Sequence, residues 1–199
     1  IFSLSIMNKF KFSPIEFAHL FWAWVLISIA FTIILRNEEN GFFYFFAVSL
    51  FTVGVGFILH ELSHKCFAQK YGCFAEFRAD FFMLFLAIGM SFFGFFFAAP
   101  GAVFIHGTIT TRRNGIISIA GPATNAVLAA VFFGITFLST GFIRGIALYG
   151  VLINSWLAVF NMIPFGNIDG AKVWRWNQAT YLLVLAVSIG FLVLGFVWK

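Results

Sequence analysis

Gly54-Val55-Gly56-Phe57-Ile58-Leu59-His60-Glu61-Leu62-Ser63-His64 closes an uncharged, aromatic-rich run that begins at Gly41. The run is long enough to cross a hydrocarbon core, which takes about 20 helical residues. It then delivers two imidazoles and a carboxylate where ionisable groups are costly and usually kept for function. Residues four apart on a helix return to the same face, so His60 and His64 can reach one metal ion with Glu61 beside it. His-Glu-x-x-His is a zinc-hydrolase spacing in which the glutamate moves the protons of water. A polar cluster on a buried or interfacial helix is the alternative. The whole chain has four histidines and seven carboxylates, and two of the former and one of the latter fall in this window.

Composition fixes the fold class. Of the residues, 62% are hydrophobic and 10% charged, whereas soluble domains carry about 25% charged residues. The expectation is an all-α polytopic membrane protein with five or six transmembrane helices. Uncharged runs cover Phe17 to Leu35, Gly41 to Leu59, Phe81 to Thr111, Asn114 to Ile143, Gly145 to Ile168 and Trp176 to Trp198. No repeat or linker divides them, so 1–199 reads as one membrane domain with a core over 41–170 and peripheral helices at about 15–35 and 176–198. Met7 reads as a natural start, with no signal-peptide cleavage site near it. Lys9, Lys11 and Glu16 read as an interfacial entry to a retained first helix, with Trp22 and Trp24 near that interface. The net charge of +5 comes from basic residues beside the hydrophobic runs. They are membrane anchors, and no nucleic-acid surface is expected. Cys66 and Cys73 lack a paired metal spacing and read as free thiols.

The histidine segment can run as one helix from Gly41 to about Tyr71, with Gly72 as its stop. The histidines then sit inside the bilayer, nearer one face. Gly54 and Gly56 allow another backbone to approach. Cys73 to Asp80 alternates apolar and polar residues, a short strand. After Phe81 the sequence predicts a helix, a break at Pro100-Gly101, and an extended piece able to pair with the strand near Phe77, because open backbone at membrane depth needs protein partners. A full crossing by Phe81 to Phe97 would leave Asp169 on the face opposite the histidine motif, so that segment is expected to double back or the motifs to lie near the midplane. Gly121-Pro122-Ala123-Thr124-Asn125 interrupts the next run and reads as close packing with a kink; a substrate contact through Asn125 is the other reading.

Catalytic zinc is held by three protein ligands, so a third must exist. Glu76 and Asp80 alternate with Arg78, where ion pairing is the simpler explanation. His19 and His106 are isolated and read as packing histidines. Asp169 ends Asn161-Met162-Ile163-Pro164-Phe165-Gly166-Asn167-Ile168-Asp169 before Gly170 and is either a ligand, an Asp-Gly turn or the N-cap of the next helix.

Together these motifs resemble the site-2 protease family of intramembrane zinc metalloproteases, whose members pair His-Glu-x-x-His with Asn-x-x-Pro-x-x-x-x-Asp-Gly. The glycine-proline-asparagine stretch Gly121 to Asn125 lies between them, and the likeness covers about Gly41 to Gly170. The resemblance implies one zinc per chain held by His60, His64 and Asp169, Glu61 as catalytic acid/base, and Asn161 as a donor to substrate or oxyanion. It implies cleavage of a single-pass transmembrane substrate inside the lipid bilayer of the cell membrane, with the site nearer the cytosol. A membrane zinc transporter is the competing class, yet the chain shows neither an internal repeat nor a second ligand cluster. Membrane proteases of the prenyl-peptide or stress-response type use a glutamate as third ligand, and no glutamate follows Glu76.

Overall fold

The computed structural model describes residues 10–37, 41–95 and 100–198; Met7 and Lys9 lie outside them. The chain folds as α1 (Pro14–Leu35), α2 (Phe42–Ser49), a π-helical turn (Leu50–Gly54), α3 (Val55–Lys70), β1 (Phe74–Ala79), α4 (Phe81–Ser91), β2 (Gly101–His106), α5 (Thr111–Leu138), α6 (Gly141–Asn161), α7 (Asp169–Trp176) and α8 (Gln178–Trp198). Among the described residues, five stretches are long and apolar enough to span a membrane: α1, Phe42–Lys70, α5, α6 and α8. The chain is therefore an all-α polytopic membrane protein with a two-stranded hairpin.

The segment after Phe81 doubles back. α4 has 11 residues, about 16 Å of helix and half of a hydrocarbon core. β1 and β2 pair antiparallel from Phe74 opposite His106 to Ala79 opposite Gly101. The chain thus returns to the face where α3 ended before α5 begins. α5 crosses away, α6 crosses back, and the ends of α3 and α6 share one face. The first helix starts there too, since the Lys11 N–H donates to Gln69 Oε1 near the end of α3 (3.2 Å).

Two expectations are corrected. Trp22 and Trp24 lie eight and ten residues into α1 rather than at its entry. The Trp24 indole N–H donates to Leu50 O (3.0 Å), a carbonyl at the head of the π-helical turn, where such a donor can replace a perturbed helical bond. Glu16 is not an interfacial group either. It is fully buried, pairs with the fully buried Lys65, and accepts the Phe77 N–H at 2.9 Å. A buried ammonium needs such a partner, and Lys65 also lies 3.8 Å from the Phe12 ring centroid. α1 is thereby tied to both α3 and β1.

α5 runs as one helix through Pro122, and Gly121 packs closely against His60 and His64 as expected of this stretch. A membrane helix tolerates proline where neighbours satisfy the released backbone groups.

Candidate metal centre

α3 presents His60, Glu61 and His64 on its buried side, all under 9% exposed. They stand ten and six residues, for the histidines, before the helix ends at Lys70, so the imidazoles lie about 9–15 Å inside that end. The His60 and His64 Nε2 atoms are 2.9 Å apart. Asp169 Oδ2 lies 3.5 Å from the first and 3.0 Å from the second. Three ligands bound at about 2.0–2.1 Å in tetrahedral directions would stand roughly 3.3 Å apart, close to this triangle. Among the described residues this is the cluster of metal-ligand type, its donor atoms within 4.8 Å of one another.

The ring nitrogens on the far side are already engaged. His64 Nδ1 donates to Ile117 O (2.7 Å) and His60 Nδ1 donates to Asn125 Oδ1 (2.6 Å). A carbonyl only accepts, so the Nδ1 of His64 carries its proton and its Nε2 lone pair faces inward, as a metal ligand requires. Pro122 has no N–H for Ser118 O and its ring presses on that carbonyl. The Ile117 carbonyl that receives His64 stands one residue before this gap in the ladder. A Cβ on Gly121 would sit 2.5 Å from both Nε2 atoms, so glycine leaves open the space in front of the ligand triangle. Soft-to-borderline nitrogen donors, one carboxylate and an open cradle fit zinc.

Asp169 is the first residue of α7, with Ile168 as N-cap, so its carboxylate is not the cap that sequence allowed. One oxygen faces the histidines and the other lies 3.5 Å from Lys172 Nζ. The Lys172 ammonium beside it favours the ionised carboxylate. Asp169 is available as an anionic donor. A Cβ on Gly170 would run into the Met162 and Ile163 carbonyls, so the Asp-Gly pair lets α7 start tight against the end of α6.

Glu61 lies near the backbone of Val103 in β2. Asn161, the last residue of α6, donates to Leu157 O (2.9 Å), back along its own helix. Among the described residues it is not bonded to the histidines or Asp169. Glu76 pairs with Arg78 (3.0 Å), Asp80 caps α4, His19 accepts the Ala79 N–H, and His106 lies exposed on β2. None joins the triangle. Both cysteines are free. Asn125, read as packing or substrate contact, instead holds His60. Its signal in the sequence was a primary amide well inside the uncharged run of that helix.

No family model and no solved structure matches the chain. A protein of Methanocaldococcus jannaschii, provisionally named a zinc metalloprotease, is 38% identical over 196 residues, covering 96% of this chain and 100% of that protein. With a likeness of that extent, the chain belongs to the zinc metalloprotease family of that archaeal protein.

Proposed function

We propose that this protein is an intramembrane metalloprotease of the site-2 type, cutting a peptide bond within or near the end of a substrate transmembrane helix. The observation behind it is the triangle formed by the buried His60 and His64 with the half-buried Asp169, beside Glu61, inside a bundle whose described residues include five membrane-spanning stretches. These three side chains would hold one zinc per chain. Zinc there supplies Lewis-acid polarisation of the scissile carbonyl and lowers the pKa of water to about 7.

The chain's own groups do the rest. Glu61 takes a proton from the attacking water and returns it to the departing amine, so water is added across the C–N bond. Asn161 uses one N–H on Leu157 O and has a second for the oxyanion. The side chains of His60, His64 and Asp169 keep 6%, 10% and 12% exposure, and the segment from Ile163 to Asn167 ahead of Asp169 is exposed. Water therefore has a route from the face where α3 and α6 end.

Substrate conformation follows from the hairpin. The Phe77 and Ala79 N–H groups point away from β2, to Glu16 and His19. In an antiparallel pair, Val103 and Gly101 opposite them turn their polar groups to the free edge of β2. Val103 lies near Glu61. A substrate on that edge lies extended with its carbonyls free of helical bonds, which favours helices that unwind cheaply at Gly, Pro or Asn.

Orientation has support in charge. Of the described basic residues outside the bundle interior, Lys11, Lys70, Arg78, Arg112, Arg113, Lys172 and Arg175 lie on the face of the site, and Arg36 and Arg144 on the other. Basic loops stay in the cytosol. We place the site toward the cytosol, in the cell membrane.

The test is metal content and cleavage together. Purified protein should hold about one zinc per chain, weakened or lost in Asp169→Ala. Glu61→Gln should keep zinc and lose cleavage of a single-pass substrate. No zinc in metal-replete protein sinks the reading, and metal flux into vesicles that survives Glu61→Gln would favour a transporter.

A further inference from the structure

His64 is fixed by a backbone carbonyl, but His60 is fixed by a side chain that must itself be held. The Asn125 amide donates to Gly56 O and to Asn154 Oδ1, both at 3.1 Å. Asn154 in turn donates to Gly150 O at 3.0 Å. Both asparagines are 0% exposed, and they join α3, α5 and α6 at the bundle centre.

The direction of the chain is not arbitrary. Gly150 O and Gly56 O can only accept, so Asn154 must turn its NH2 to the first and Asn125 must turn its NH2 to the second. Asn154 then has an oxygen to offer, which takes the second N–H of Asn125. Asn125 is left with its oxygen toward His60, and His60 must carry its proton on Nδ1. That puts the lone pair of His60 on Nε2, in the triangle. Space is kept for the relay: a Cβ on Gly56 would collide with the Asn154 amide. At membrane depth a half-satisfied amide has no water to turn to.

We propose that Asn154, through Asn125, is a positioning residue for the metal centre, holding His60 in the metal-binding tautomer. This rests on the reading that His60, His64 and Asp169 hold zinc. α6 then serves the centre twice, through Asn154 in its middle and through the segment at its end that carries Asp169.

The experiment uses the zinc-loaded full chain with 15N-labelled histidine, reading the Nδ1 proton resonances of His60 and His64, alongside zinc affinity by chelator competition. Asn125→Leu, which removes the acceptor outright, should weaken zinc by about 10- to 100-fold, the range for outer partners of metal ligands. Asn154→Leu should weaken it by about 10-fold, the lower end of that range, and broaden or shift the His60 Nδ1 proton while leaving that of His64 in place. Asn154→Asp as the neutral acid keeps an acceptor toward Asn125 and a donor toward Gly150 O, and should restore both readouts. The inference is overturned if Asn154→Leu leaves zinc affinity and the His60 signal as in the wild type. It is equally overturned if His60 and His64 change alike, which marks general loosening, or if Asn154→Asp behaves as Asn154→Leu. Failure of the wild type to bind zinc is a separate result and removes the metal centre itself.

Discussion

α1 and α8 flank the bundle and have similar length and hydropathy, yet they are attached by different physics. α1 sends Glu16 to Lys65 and the Phe77 N–H, His19 to the Ala79 N–H, and Trp24 to Leu50 O. Among the described residues no side chain of α8 is hydrogen-bonded to another transmembrane helix; Ser188 donates to Val184 O within its own turn. The most apolar stretch of α8 is 17% buried, against 39% for α1. In lipid, apolar contact between helices brings little that acyl chains do not also offer. The difference teaches that sequence-peripheral helices can be either part of the scaffold around the candidate site or an attachment to it, and that buried polar groups mark which.

The comparison breaks first at Lys65. Lys65→Met leaves Glu16 buried without its cation and should cost about 3–5 kcal/mol, read by denaturant unfolding in detergent. Glu16→Gln with Lys65→Met should recover most of it, because the glutamine oxygen still takes the Phe77 N–H. Recovery failing in the double variant would show that the charge pair itself, not the orphaned charge, matters. Next comes a matched pair of glycines. Gly54→Ala meets the rigid Trp24 indole and Ser28 Oγ at 2.7 Å, and should destabilise by about 1–3 kcal/mol through overpacking. Gly195→Ala on α8 meets the flexible end of Leu152 at 2.8 Å and Val151 Cγ1 at 3.2 Å, and the same assay should show a smaller loss, about 1 kcal/mol or less, offset in part by the better helix propensity of alanine. Equal losses would erase the distinction between the two helices. The smallest effect is expected for Ser188→Ala, within about 0.5 kcal/mol.

Much of this was legible in the residues. The histidine pair stood out because polar groups at membrane depth are rare, and the hairpin because alternation at Cys73–Asp80 and the Pro100-Gly101 break need each other. Asp169 came from a broken helix end, although its choice between ligand and cap needed three dimensions. The rest had no local signature. Glu16 looks like an ordinary interfacial acid until its partner 49 residues away is seen. The signal was Lys65, an ammonium directly after His64 that had to find a carboxylate. Asn154 sits in an apolar run whose period cannot say which face meets which neighbour.

The π-helical turn at Leu50–Gly54 sets an angular phase between two halves of one span. Above it, Phe45 and Val48 are buried; below it, His60 and His64 face the triangle. Each residue of an α-helix turns the chain by about 100°. Deleting one residue within the turn would restore a regular ladder and swing one half against the other by about that angle, so the two sets of side chains could no longer both find their partners. The extra residue works as a gear tooth: it lets one continuous helix answer to α1 on one side of the membrane and to the triangle of His60, His64 and Asp169 on the other.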